Sequence, residues 1–196
     1  MASLKPLVAT LRFVLSHPLN RNQRLQALWR DFRWQLGARI VSGPVAVPFV
    51  NGCVLLAEPG MTGATGNIYC GLAEFESMSL VGHSLKSGDL FVDVGANIGS
   101  YTLLAASLGA KCLALEPIPT TFLNLQRNIG LNGVTRVTAL EVAVGSKRGT
   151  LTMTSDFDTV NHVITNEEPG IGVQVWRLDD LVIIDRPLGL KIDVEG

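Results

Sequence analysis

Apolar residues Leu4, Leu7, Val8, Leu11, Val14 and Leu15 recur at spacings of three and four, which predicts an amphipathic helix at the start of the chain. The stretch SHPLN ends it, because the residue before a proline avoids the helical region. Leu25, Leu28, Trp29, Phe32 and Leu36 mark one side of a second helix, with Arg21, Arg24, Arg30 and Arg33 mostly elsewhere and Gly37 as a stop. Residues 43–67 are rich in Gly, Pro and β-branched residues. Asn51-Gly52 between two apolar runs predicts a hairpin of short antiparallel strands, then a loop through Gly60–Asn67. Residues 72–85 read as a helix with Leu72, Phe75, Met78 or Ser79, and Val81 inward. From Leu90 the rhythm alternates. LFVDVG and KCLALEP read as strands and RVTALEVAVG as a third strand running into a turn, with helices over Ser100–Leu108 and Thr120–Leu131 between them. Alternation of this kind implies an α/β fold with a parallel sheet and right-handed crossovers. GTLTMTS and IGVQVWRLDDL read as further strands, and a last apolar strand ends at Val194.

Composition narrows the class. The chain has 196 residues, 47% of them hydrophobic, which suits one globular domain with an appendage. Arg12 interrupts the first apolar stretch, against a secretory signal, and no apolar run is long enough to span a bilayer. Cys53, Cys70 and Cys112 are odd in number and widely spaced. They predict free thiols and a cytoplasmic location rather than disulfides or a metal site. Charge is uneven: residues 1–39 carry seven Lys/Arg against Asp31 alone, a net of +6, while the remainder is acidic by −7.

The densest chemistry lies in FVDVGANIGSYTLLAA. A buried strand ends in Asp93, and the loop Gly95-Ala96-Asn97-Ile98-Gly99 leads into a helix. Open α/β sheets bind ligands at that end of a strand. The next strand ends in Glu116, 23 positions after Asp93, where a carboxylate can accept hydrogen bonds from two ribose hydroxyls. Asn97 stands where a dinucleotide fingerprint requires its second glycine, so a nucleoside ligand without a pyrophosphate fits better.

DVGANIGSYTLLAA, ALEPIPTTFLNLQRNIGLNGV, AVG and LKIDVEG resemble, in order and spacing, the FkbM-type S-adenosylmethionine-dependent methyltransferases from about Gly71 to Gly196. The resemblance implies a Rossmann-like class I methyltransferase sheet, with spatial order 3-2-1-4 for the strands present. It also implies O-methylation of a hydroxyl on a sugar or natural-product-like small molecule. It assigns Asp93, Gly95, Asn97 and Gly99 to the methionine half of the cofactor, and Glu116 with Pro117 to the ribose. Glu141, Val142 and Ala143 fall at the adenine edge, and Glu74 matches an acid near the cofactor. Asp193 is the acid beside the transferred methyl group, and Glu195 belongs to the same motif. His162, in a polar loop with Asp156 and Asp158, is a second candidate base. No metal is expected. Each assignment has a plainer counterpart: an ordinary strand–helix turn for the glycine loop, solvated acids for Glu141, Asp193 and Glu195, a loop histidine for His162.

The expected organisation is a basic helical extension (1–42), a hairpin and loop (43–70), and a methyltransferase domain (71–196) that stops short of the family's later strands. A short chain of that kind is expected to bind cofactor with weak or no turnover. A cofactor-binding module without activity is therefore an alternative. A nicotinamide-dependent oxidoreductase is another, disfavoured by Asn97 and by the lack of a Tyr-x-x-x-Lys pair. The extension reads first as packed against the body by its apolar stripe, with its arginines as a solvated face. Contact of residues 1–36 with an anionic membrane surface, or with another subunit, are its other readings. Nucleic acid is not an expected partner, because the body is acidic. Oligomeric state is not legible.

Overall fold

The computed structural model describes residues 5–58, 60–154, 170–181 and 189–194. Helices α1 (Lys5–Ser16) and α2 (Arg24–Ile40) are joined through a 3-10 turn at Pro18–Asn20. Asn20 locks that corner. Its side-chain amide donates to the Val14 and Tyr69 carbonyls at 2.9 and 3.2 Å and accepts from Arg30 at 2.7 Å. His17, also buried, accepts from the Leu19 N–H at the start of the turn.

Strands β1 (Val45–Pro48) and β2 (Val54–Ala57) form the expected antiparallel hairpin, and Asn51 and Gly52 both take positive φ in its turn. The loop expected after it is a helix, α3 (Thr62–Cys70). Gly63 and Gly66 are poor evidence for a helix by propensity. They do allow close packing: a Cβ on Gly66 would sit 3.0 Å from that of Ala73. Burial of Ala64, Tyr69 and Cys70 beside Leu55 and Trp34 outweighs the propensity cost of two glycines, roughly 1 kcal/mol each. Helix α4 (Phe75–Ser84) follows and buries Met78.

The central unit runs β3 (Leu90–Val94), α5 (Ser100–Ser107), β4 (Lys111–Leu115), α6 (Pro119–Leu131) and β5 (Val137–Leu140). After it come β6 (Ala143–Val144), β7 (Gly149–Met153), β8 (Ile171–Trp176), α7 (Leu178–Leu181) and β9 (Gly189–Ile192). Strands β5, β4, β3 and β9 lie side by side in that order, all parallel. This is the parallel α/β sheet the alternation implied, Rossmann-like and in the 3-2-1-4 order that the resemblance implied. Two details differ from the sequence reading. RVTALEVAVG is two strands: exposed Glu141 and buried Val142 carry the chain from β5 into β6, part of a second sheet ordered β6-β8-β7. Leu178–Leu181 turns as a short helix instead of extending β8.

The extension packs on this unit with an unexpected face. Val14, Ala27 and Trp34 join Leu55, Tyr69, Ile98 and Leu103 in one buried cluster. The inward side of α2 is thus Ala27, Asp31 and Trp34, while Leu25, Trp29, Phe32 and Leu36 face outward. Small Ala27 lets the helices approach, and Arg30 is drawn inward by its bonds to Asn20 and to the Tyr69 carbonyl at 3.0 Å. The apolar stripe read as the packing face is the exposed one, and Arg30 is not part of a solvated face.

Candidate active site

A cleft of about 330 Å³ opens at the carboxyl ends of β3, β4 and β9, with α3 and α4 forming its far wall. Its volume is within the usual range for small-molecule sites. The β3–α5 loop forms its floor. Gly95 has φ +73, and a Cβ there would collide with the Asp193 carbonyl oxygen, so only glycine lets β9 close against the loop. Gly99 caps α5 with φ +94, and its missing Cβ makes room for Leu125 of α6. Both glycines therefore serve the packing of the loop. Asn97 also has positive φ, tolerated because its Oδ1 accepts from the Ile98 N–H at 2.7 Å.

Glu116 sits at the end of β4, buried yet on the cleft wall. Its carboxylate accepts from the Asn97 N–H and the Ile118 N–H, both at 2.9 Å. Burial pushes its pKa above the ordinary glutamate value; those two N–H groups and the Lys191 charge oppose the rise. Two bonds leave lone pairs on a carboxylate for two further donors. Pro117 lines the cleft beside it.

Lys191 connects the opposite wall. It stands in β9 in register with Asp93 of β3. Its ammonium donates to the Gly95 carbonyl at 2.8 Å, lies 3.3 Å from Asp93 and 3.5 Å from Asp193, and rests 5.1 Å from the centre of the Tyr101 ring. Asp93 itself is fully buried; its other oxygen accepts from the Thr102 hydroxyl at 2.6 Å. It holds the loop and Lys191 without lining the cleft. The Tyr101 hydroxyl donates to Glu74 at 2.8 Å; burial first, and Glu74 next, push the phenol's pKa up, so Tyr101 remains a neutral donor. Asp193 lies on the cleft with its side chain largely open to solvent.

The structure thus brings Glu74, Gly95, Asn97, Glu116, Pro117 and Asp193 to one cleft. Asp93 and Gly99 lie just behind it. Glu141 is solvent-exposed and Val142 is buried with Val92, Val94 and Leu115; neither is on the cleft wall, because the chain turns away toward the second sheet there. His162 and Glu195 lie outside the described residues. Among the described residues, no three His, Cys, Asp or Glu side chains are grouped to hold a metal ion. The sequence reading missed Lys191 and Tyr101. Lys191 was detectable: a lysine inside an otherwise apolar strand calls for a partner, and it shares a strand face with Asp193 two positions on.

A parallel sheet of this order, with a turned loop after one strand and a buried acid after the next, defines a Rossmann-like α/β protein. The methyltransferase FkbM domain matches residues 93–196, more than half of the chain. The chain belongs to that family. "Methyltransferase 1" of Beauveria bassiana is 38% identical over 133 residues, covering 54% of this chain and 53% of the relative. "Methyltransferase sdnD" of Sordaria araneosa is 40% identical over 74 residues, 36% of this chain and 29% of the relative. The matches therefore span about half or less of these relatives' length. Among solved structures, Pyrococcus horikoshii TYW2 in complex with MeSAdo is 25% identical, with a TM-score of 0.43 over 53% of this chain and 37% of that one.

Proposed function

We propose that the cleft binds S-adenosylmethionine and that the chain is a methyltransferase acting on a hydroxyl of a small molecule, of sugar or natural-product type. The observation that carries this reading is Glu116: a buried carboxylate that still opens on the cleft, one strand away from the turned loop. Its free lone pairs suit a ribose diol. Charge balance supports the same ligand. Among the described residues, Glu74, Asp93, Glu116 and Asp193 face or back the cleft against the single cation Lys191. Such an excess of carboxylate favours a ligand carrying sulfonium and ammonium groups. The family membership of residues 93–196 agrees with it.

When bound, S-adenosylmethionine supplies a methyl group already activated for displacement. The chain's own part is to hold, align and deprotonate. Glu116 would hold the ribose, and the Gly95–Gly99 loop would pass beneath the ligand. Asp193, exposed at the mouth, would accept the proton of the acceptor hydroxyl, a form of assistance that typically contributes about 10²–10⁴-fold. Lys191 and Tyr101 would fix the position of Asp193 and Glu74. Orientation within such a cleft can supply roughly 7–11 kcal/mol of the barrier.

Calorimetric titration with S-adenosylmethionine and with NAD tests the cofactor. Binding of the first alone is expected, and binding of NAD alone overturns the reading. Transfer of isotopically labelled methyl from S-adenosylmethionine to a panel of hydroxylated small molecules tests the acceptor class; label found only on nitrogen or carbon would overturn the hydroxyl assignment.

A further inference from the structure

The outward face of α2 inverts the usual pattern. Leu25, Trp29, Phe32, Leu36 and Ile40 recur every three or four residues and so form one stripe. Leu25 and Ile40 are 83% and 74% exposed, and Trp29 stacks on Phe32 in the open, ring centres 5.6 Å apart. Arg24, Arg33 and Arg39 are exposed on the same helix. Asp31, the one acid among residues 1–39, is buried on the opposite side. A helix with a Trp/Phe/Leu stripe, arginines beside it and no exposed acid is complementary to one surface in both respects. It can bury the stripe among acyl chains while its guanidinium groups meet lipid phosphates.

We propose that α2 is a docking helix that seats this chain on an anionic phospholipid surface. The helix lies flat: its 17 residues span about 25 Å, and no described helix is long and apolar enough to cross a membrane. A second copy of the chain meeting this face by two-fold symmetry would bring like arginines together, whereas a lipid surface satisfies both the stripe and the charges. The seat is coupled to the cleft. Arg30 on the inner side of α2 donates to the Tyr69 carbonyl of α3, and α3 also supplies Asn67 to the cleft wall.

The test is co-sedimentation of the whole chain with phosphatidylcholine vesicles and with phosphatidylcholine–phosphatidylserine vesicles, at low and high salt. Binding to the anionic vesicles only, weakened by salt, is expected. Trp29→Ser with Phe32→Ser should lower partitioning about tenfold or more by removing the stripe's aromatic anchors. Arg24→Gln, Arg33→Gln and Arg39→Gln together should erase the preference for anionic vesicles, about fivefold for each charge. All these side chains are exposed, so circular dichroism and melting curves should match the parent, which separates lost docking from lost folding. Equal recovery on both vesicle types, or anionic binding unchanged in the aromatic variant, overturns the proposal. A lipid-free dimer in light scattering that the aromatic variant dissolves would overturn it too, by assigning the face to a second copy.

Discussion

Lys191 joins a fully buried acid, Asp93, to an open one, Asp193, and braces the loop through the Gly95 carbonyl. Lys191→Met would leave Asp93 charged and uncompensated in the core, a loss of about 3–5 kcal/mol in chemical denaturation. The same change in an Asp93→Asn background should cost much less, and that contrast separates the ion pair from packing. Glu116 makes a different prediction, in pH. Burial raises its folded pKa above the ordinary value near 4.5. Its contribution to stability is therefore full below the unfolded pKa and lost as pH rises through the folded one. Ligand affinity runs the other way, since ribose hydroxyls donate to the ionised carboxylate: full above the folded pKa, lost as pH falls through it. Titrations of S-adenosylmethionine binding across that range should show the loss beginning above pH 4.5, and Glu116→Gln should flatten the profile and weaken binding. The place of Glu116 on the cleft was readable from sequence, because the end of a parallel strand opens on the side where such sheets bind ligands. Glu141, which the resemblance set at the adenine edge, directly follows β5 and is solvent-exposed, outside the residues that line the cleft.

Among the elements, the hairpin and α6 are clasped by two asparagines that carry no sequence pattern of their own. Asn128, fully buried, accepts from the Leu56 N–H at 2.8 Å and donates to the Ile98 carbonyl at 2.8 Å. Asn132 repeats the arrangement one turn later on Val54, accepting from its N–H and donating to its carbonyl. Asn128→Ala would strand one donor and one acceptor out of water, at roughly 1–3 kcal/mol each. Urea unfolding should show a loss of about 2–5 kcal/mol, with faster hydrogen exchange at the Leu56 amide. Strands and helices of the central sheet were legible because their apolar runs alternate so regularly. Helix α3 was not, because its glycines signal a turn locally and only its burial against α2 and β2 makes it a helix. The outward stripe of α2 was legible as a stripe and misread in direction: periodicity gives a face, and the buried bonds of Asn20 and Arg30 decide which way it points.

Across the whole molecule, the cleft draws walls from distant parts of the chain: Asn67 and Glu74 from the helices preceding the sheet, Glu116 from its middle, Lys191 and Asp193 from β9. A ligand filling it would tie these segments together, so binding should stabilise the chain as a unit. At a free concentration one hundred times its dissociation constant, a ligand that binds only the folded form adds about 2.7 kcal/mol. For a chain of this size, each kcal/mol raises Tm by roughly 2–4 °C. S-adenosylmethionine at that concentration should therefore raise Tm by about 5–11 °C. NAD should leave it unchanged. Hydrogen exchange should slow together at the amides near Asn67 and near Lys191, although more than a hundred residues separate them. Protection confined to the Gly95–Gly99 loop would mean that the ligand touches the sheet without engaging the wall built by α3 and α4. In that case the chain before β3 would support the fold and take no part in holding the cofactor.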